Sequence, residues 1–179
     1  MRGLIPYGAL TISGPGAATQ ALSTAAALMA QWSAAGGANI NGTYDDGNPD
    51  VTADKVNNRI LVQAPGVYEV EVHLSGITDG TQNITIDIAK NAVAYGVAQS
   101  KQSWLVSTKI HHYMKGIVIV TAADNPGTIT TKPNPATTGF AGAGGFPKMM
   151  VPLTILLTSG AGTPTLTFEN CLMLAKRLG

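Results

Sequence analysis

At 179 residues the chain is long enough for one domain with a core of its own, and a second full domain is not expected. Its formal net charge of +1 and its lack of a Lys/Arg cluster exclude the basic surface that binds nucleic acid or an anionic membrane. The one cysteine, Cys171, excludes an internal disulfide, so the fold is compatible with a cytosol.

Charged residues are rare and unevenly distributed. They make up 12% of the chain, against roughly 25% in an ordinary soluble domain. Asp, Glu, Lys and Arg are absent from Gly3–Tyr44 and from Met149–Phe168, and Asn125–Pro147 contains only Lys132. Because the cores of protein interfaces are depleted of charge, this distribution indicates a component of an assembly. A soluble monomer with a Thr/Asn/Gly surface is the alternative.

The chain begins with an extended segment. Leu4–Ile12 is predicted to form a short strand or arm, which ends at the Gly/Pro-rich residues Ser13–Gly16. Pro6 and Gly8 interrupt the continuous apolar region that a signal peptide needs. No uncharged apolar run approaches the ~18 residues of a membrane span. We therefore expect neither a signal peptide nor a membrane segment.

A helix is predicted over Ala18–Ser33. Thr19 is a suitable cap, Gly36 and Gly37 follow the end, and an apolar stripe recurs at helical spacing, formed by Leu22, Ala25, Met29 and Trp32. A helix of about four turns is not stable alone, so it must dock onto something. Two possibilities stay open: the stripe packs on its own domain, or it serves assembly around a symmetry axis or on a larger particle.

An irregular segment, Ala34–Asn58, follows the helix. It contains a cluster of oxygen-bearing side chains, namely Asp45, Asp46, Asn48 and Asp50. Such side chains can bind calcium, but their spacing departs from the EF-hand pattern. An ordinary Asp/Asn turn is the favoured interpretation.

From Arg59 onward the sequence predicts strands. Apolar and polar residues alternate most regularly in Val67–Ile77, where Tyr68, Val70, Val72 and Leu74 share the core face. Eight strands are predicted in all: Arg59–Val62, Val67–Ile77, Asn83–Asn91, Ala92–Ala98, Ser103–Ile110, Met114–Ala122, Val151–Thr158 and Thr165–Ala175. Short strands separated by turn residues predict an all-β fold, an antiparallel β-sandwich of the jelly-roll type.

One connection is longer than a compact domain needs. Ala123–Lys148 is rich in Thr, Pro and Gly and exceeds the ~15 residues at which a loop requires a reason. Disorder is one interpretation. Phe140 and Phe146, which stand among glycines, favour a contact loop between subunits.

Side chains with catalytic or metal-binding potential are few. Glu69, Glu71 and His73 line one face of a strand, where they form either a solvated surface or a metal or acid/base site. His111 and His112 point to opposite faces of an extended chain and cannot chelate one ion together. Nucleophile elbows, P-loops, dinucleotide fingerprints and zinc motifs are all absent. We expect no enzymatic activity, no metal and no cofactor.

Four segments follow one another in a characteristic order: NRILVQAPGVYEVEVHLSG, ITIDIAKNAVAY, MKGIVIVTAAD and the terminal TLTFENCLMLAKRLG. Their most specific parts are Ala64–Tyr68 (APGVY) and the pair Lys90–Asn91. In this order they resemble the tumour-necrosis-factor-like and complement-globular-head jelly rolls. The resemblance covers 44–179, which we interpret as a head domain. The preceding residues, 1–43, look like the anchoring segment of bacteriophage structural proteins that use this jelly roll as a trimeric head.

The resemblance implies a homotrimer. We expect its interface at Met114–Ala122, where apolar residues occupy both faces of the strand. The predicted interface residues are Tyr113, Ile117, Ile119, Phe140 and Phe146. The predicted capsid-anchoring residues are Leu4, Ile5, Tyr7, Leu22, Met29 and Trp32.

The expected function is that of a bacteriophage capsid decoration, or cement, protein. It would fold in the host cytoplasm, bind the major capsid protein on the outside of the virion, and stabilise the shell. The alternative is the receptor- or glycan-binding head of a fibre, for which Phe140, Phe146 and Trp104 are the aromatic candidates. An animal-type cytokine ranks third.

Overall fold

The computed structural model describes residues 5–13, 18–32, 40–45, 50–126 and 149–179, with the backbone alone in 40–45 and at Val97. These residues form two antiparallel sheets that pack face to face, as the jelly-roll prediction requires. Sheet A contains β1 (Tyr7–Ser13), β2 (Ala18–Ala21), β4 (Ile40–Asp45), β7 (Gly66–Thr78), β10 (Ile110–Val120), β12 (Thr165–Phe168) and β13 (Cys171–Arg177). Sheet B contains β3 (Ala27–Leu28), β5 (Val51–Asp54), β6 (Arg59–Val62), β8 (Gln82–Lys90), β9 (Val93–Trp104) and β11 (Val151–Ser159).

The long strand β7 is the centre of sheet A. It pairs with β10 along one edge and with β13 and β12 along the other. The strand β1 continues the sheet between β13 and β4. In sheet B the order is β5-β6-β11-β8-β9, and β3 pairs with β11.

The core lies between the sheets and follows the predicted alternation. Tyr68, Val70, Val72 and Leu74 of β7 are fully buried, which confirms the predicted core face of that strand. From sheet B, the alternate residues Ile84, Ile86 and Ile88 of β8 and Leu153, Ile155 and Leu157 of β11 face them. The two weak strands predicted at Ala92–Ala98 and Ser103–Ile110 are instead one strand, β9, followed by the start of β10.

The helix predicted over Ala18–Ser33 is wrong. Residues Ala18–Ala21 form β2, which pairs with β12 of sheet A, and Ala27–Leu28 form β3, which pairs with β11 of sheet B. Between them the Ser23 hydroxyl accepts a hydrogen bond from the Ala25 N–H, a local turn that competes with helix formation. The described part of this segment therefore crosses from one sheet to the other.

This crossing also corrects the predicted anchor. Leu22, Met29 and Trp32 are buried in the core of the same chain and are not available to a capsid. The strand β1 pairs with β13 over six residue pairs. The described part of 1–43 is thus built into the sandwich rather than preceding it. Within the described ranges no α-helix occurs, and no helix is long and apolar enough to cross a membrane.

Candidate assembly surface on sheet A

The strand β10 carries apolar side chains on both faces. Met114, Val118 and Val120 face the core and are buried. The alternate residues Tyr113, Ile117 and Ile119 point outward and are 56%, 43% and 53% exposed. The predicted two-faced apolar strand is therefore present, but its outer row is uncovered in the single chain.

The outward row of β10 continues across the sheet. Cross-strand register places Tyr113 opposite His73, and His73 opposite Leu172. Lys115, Glu71 and Leu174 form the next row, and Ile117, Glu69 and Lys176 the one after it. Directly opposed residues in neighbouring strands share a face, so these side chains form one surface. We call it the assembly surface and define it by the outward residues of β10, β7 and β13.

Tyr7 extends the assembly surface. It lies opposite Lys176 in the pairing of β1 with β13 and is 38% exposed. The preceding Ile5 is 57% exposed. The anchoring role predicted for these two residues stays a prediction. Leu4, Phe140 and Phe146 lie outside the described residues.

Two glutamates and two lysines form an ion-pair cluster in the assembly surface. Lys115 Nζ lies 2.5 Å from Glu69 Oε2 and 3.6 Å from Glu71 Oε1. Lys176 Nζ pairs with Glu69 Oε1 and lies 3.5 Å from Glu71 Oε1. Both lysines come from strands that flank β7. The cluster therefore links β10, β7 and β13 through their side chains.

Hydrogen bonding within this cluster stabilises its charged forms. The hydrogen bonds from Lys115 and then Lys176 hold the pKa of Glu69 below its ordinary value. The same bonds to Glu69 raise the pKa of both lysines. Glu69, which is 8% exposed, is engaged by lysines. The cluster therefore has a structural role, and the Glu69–Glu71–His73 row offers no free carboxylate pair for catalysis.

The histidines separate as the sequence predicts. His111 is exposed and its ring stacks on that of His73, with centroids 5.6 Å apart. His112 faces the core beside Trp104. Among the described residues no group of three or more His, Cys, Asp or Glu side chains is arranged to hold a metal.

The Asp/Asn cluster, interpreted from the sequence as an ordinary turn with calcium binding as the alternative, is described only in part. Asp50 Oδ2 lies 2.6 Å from Arg177 Nη1, so its carboxylate is engaged in an ion pair. Asp46 and Asn48 lie outside the described residues, and the calcium alternative is not tested.

Comparison with known proteins supports the fold. No family model and no curated protein matches the chain. Among solved structures, the Eiger TNF of S. frugiperda matches 97% of this chain and 94% of its own chain, with a TM-score of 0.50 and 14% sequence identity. A likeness at this identity concerns the fold alone. The chain therefore has a jelly-roll fold of the tumour-necrosis-factor type.

The sequence predicted the outward apolar row of β10 but not most of the residues on neighbouring strands that lie beside it. The contributions of Leu172, Leu174 and Lys176 depend on which strand pairs with β7, and strand order is not visible in one sequence. A signal was present in the alternation of the terminal strand, where Cys171, Met173 and Ala175 are buried and their neighbours are not. Tyr7 was found, but as part of a separate arm.

Proposed function

We propose that the chain is a structural virion protein, a bacteriophage capsid decoration protein that forms a homotrimer through the assembly surface. The observation that carries this proposal is the uncovered apolar row of Tyr113, Ile117 and Ile119 on an edge strand. Soluble proteins rarely leave such a row in water unless it meets a partner. A second copy of the chain is the partner proposed here.

A second contact, with the major capsid protein, is proposed for those parts of the long uncharged segments that the sandwich leaves exposed, such as Ile5. Gly3–Tyr44 and Met149–Phe168 contain no charged residue. A protein that binds the assembled shell, but not its separated parts, stabilises the shell by mass action. Apolar burial contributes about 25 cal/mol per Å², before the cost of ordering the contact. Such a protein needs binding surfaces and no catalytic group.

The trimer is tested by sedimentation velocity at micromolar concentration. We expect the wild-type chain to sediment as a trimer and Ile117→Lys to sediment as a folded monomer, because a lysine in an apolar contact is not solvated. Val56→Lys is the matched control, since Val56 is 49% exposed in the β5–β6 turn of sheet B. A monomeric wild type, or a trimeric Ile117→Lys variant, would refute the assembly surface.

The virion role is tested on particles of the virus that encodes the chain. We expect immunogold labelling against the chain to decorate the whole shell of intact particles, and particles that lack the gene to release DNA at a lower temperature. Label confined to a fibre tip would favour the receptor-binding head instead. Trp104, one aromatic candidate for a sugar site of that head, is fully buried. Absence of the chain from purified particles would refute both functions.

A further inference from the structure

A pocket lies on the opposite side of the molecule from the assembly surface. It has a volume of about 340 Å³ and is lined by residues of β3, β6 and β11, of the β5–β6 and β8–β9 turns, and of the segment that follows β10. Its residues on β11, Pro152, Thr154 and Leu156, alternate with the core residues Leu153 and Ile155. The pocket therefore opens on the outer face of sheet B.

The pocket combines apolar walls with a few polar side chains. Leu28, Pro152 and Leu156 contribute to the apolar part, together with Ala92 and Pro126. The polar side chains among the described lining residues are Asn57, Arg59, Asn91 and Thr154. Small-molecule sites in proteins typically have this composition and a volume of about 300–1,000 Å³.

The described lining has no uncompensated charge. Arg59 is its one charged side chain, and Arg59 Nε lies 2.9 Å from Oδ2 of the fully buried Asp54. The Asn57 amide donates a second hydrogen bond, of 2.8 Å, to the same Asp54 oxygen. The guanidinium is therefore already neutralised. A charged ligand would lose its hydration here without gaining a counter-charge.

Two buried polar atoms of the lining have no hydrogen-bond partner within the part of the chain that the structure describes. The Asn91 side-chain N–H donates to the Asp124 carbonyl at 2.6 Å, which fixes the orientation of the amide and leaves Asn91 Oδ1 unpartnered. Thr154 is 6% exposed and its hydroxyl is also unpartnered. Leaving a buried polar group unpaired costs about 1–3 kcal/mol, and native proteins leave few of them. Here two such groups line one pocket.

We propose that this pocket binds a neutral polyol, namely a sugar residue of a glycan. Both atoms are closed to water in the free chain, so binding requires a small outward shift of the lining. A sugar hydroxyl then donates to Asn91 Oδ1, and another exchanges a hydrogen bond with the Thr154 hydroxyl. The aliphatic faces of the ring pack on Pro152 and Leu156. An apolar ligand would leave both polar atoms unpaired, and a charged ligand would find no unengaged counter-charge in the described lining. The site goes beyond the proposed function and is independent of the trimer, because it lies on the other sheet.

Ligand-observed NMR tests the proposal directly. Methyl glycosides of glucose, galactose, mannose and N-acetylglucosamine are the neutral probes, with glucose 6-phosphate as the charged probe and cyclohexanol as the largely apolar one. We expect saturation transfer to at least one neutral glycoside. Thr154→Val should weaken that binding tenfold or more. Thr158→Val, four residues along the same strand face and not part of the described lining, should bind as the wild type does.

The Tm of the Thr154→Val variant distinguishes a hydroxyl that binds ligand from one that stabilises the fold. Because the Thr154 hydroxyl has no hydrogen-bond partner among the described residues, Thr154→Val should leave Tm unchanged or raise it. Asn91→Gly is a second variant: the φ of 54° at Asn91 suits glycine, and the change removes Oδ1. We expect it to weaken glycoside binding as well.

Several outcomes would overturn the proposal. These are saturation transfer to none of the neutral glycosides, preferential binding of glucose 6-phosphate or cyclohexanol, or undiminished glycoside binding by Thr154→Val. A lower Tm for Thr154→Val would show that the hydroxyl has a structural partner. None of these results bears on sedimentation of the trimer, so the two proposals fail separately.

Discussion

His112 is a core residue whose surroundings fix its tautomer. The Trp104 indole N–H can only donate, and it lies 3.4 Å from His112 Nδ1, which must accept. Nε2 therefore carries the proton and donates to Ser100 Oγ at 2.9 Å. The ring is 1% exposed, and burial lowers the pKa of His112 to about 4. The folded protein thus holds this imidazole neutral.

His112 should make the protein less stable at mildly acidic pH. Unfolded histidine binds a proton below about pH 6.5, whereas His112 in the folded chain does so only near pH 4. The unfolded state therefore takes up more protons between these values, and the free energy of unfolding falls as the pH falls through this window. Above pH 6.5 the full stability is present. We expect a loss on the order of 2 kcal/mol between pH 7.5 and pH 5.0.

Urea unfolding at the two pH values measures this loss, in the Ile117→Lys background to exclude association. Glutamine at position 112 keeps hydrogen-bonding capacity but does not titrate. The free energy of unfolding of His112→Gln should therefore fall less between the two pH values. His111→Gln, at the exposed neighbouring position, should lose as much free energy of unfolding as the Ile117→Lys variant alone. Equal losses in both variants would show that other groups cause the pH dependence.

At the scale of elements, the close packing of β10 on β9 depends on one glycine. A Cβ added at Gly116 would lie 2.6 Å from Ala98 Cβ and 3.2 Å from Ile88 Cδ1. Carbon atoms do not approach so closely, so any larger residue must push the two strands apart. The glycine therefore sets the distance between the edge strands of the two sheets.

Gly116→Ala should destabilise the fold by about 1–3 kcal/mol, the usual cost of overpacking. Ala98→Gly removes the opposing methyl group, so the double variant should recover part of the loss, which a double-mutant cycle of urea unfolding measures. Gly96→Ala in β9 is the control, since nothing lies within 4 Å of a Cβ there. Additive effects of the Gly116 and Ala98 changes would disprove the contact.

The success of sequence-based prediction also differed between elements. The strand β7 was predictable because its alternation is long and its polar residues are charged, so only one register buries the apolar set. The segment Ala18–Ser33 was not, because alanine favours helices and the spacing of Leu22, Met29 and Trp32 matches a helix by coincidence. Burial between two sheets overrode that local preference. The pocket was unpredictable because Asn57, Asn91 and Thr154 meet only through strand order.

At the scale of the whole molecule, association and folding should be coupled. If β10 is covered only in the trimer, the native state gains stability with protein concentration, since the unfolded chains are separate. We expect the Tm of the wild type to rise over a hundredfold increase in concentration, as measured by differential scanning fluorimetry. The Tm of Ile117→Lys should not change. A constant wild-type Tm would contradict an obligate trimer.

The ion-pair cluster has a consequence for symmetry. In the proposed trimer each contact surface meets a surface of another copy of the chain, so an excess of charge of either sign would be repeated three times around the axis. Glu69, Glu71, Lys115 and Lys176 balance their charges within each copy. If the chain forms the proposed trimer, the cluster lets its copies approach without mutual repulsion, and the fit of the apolar side chains then determines the partner.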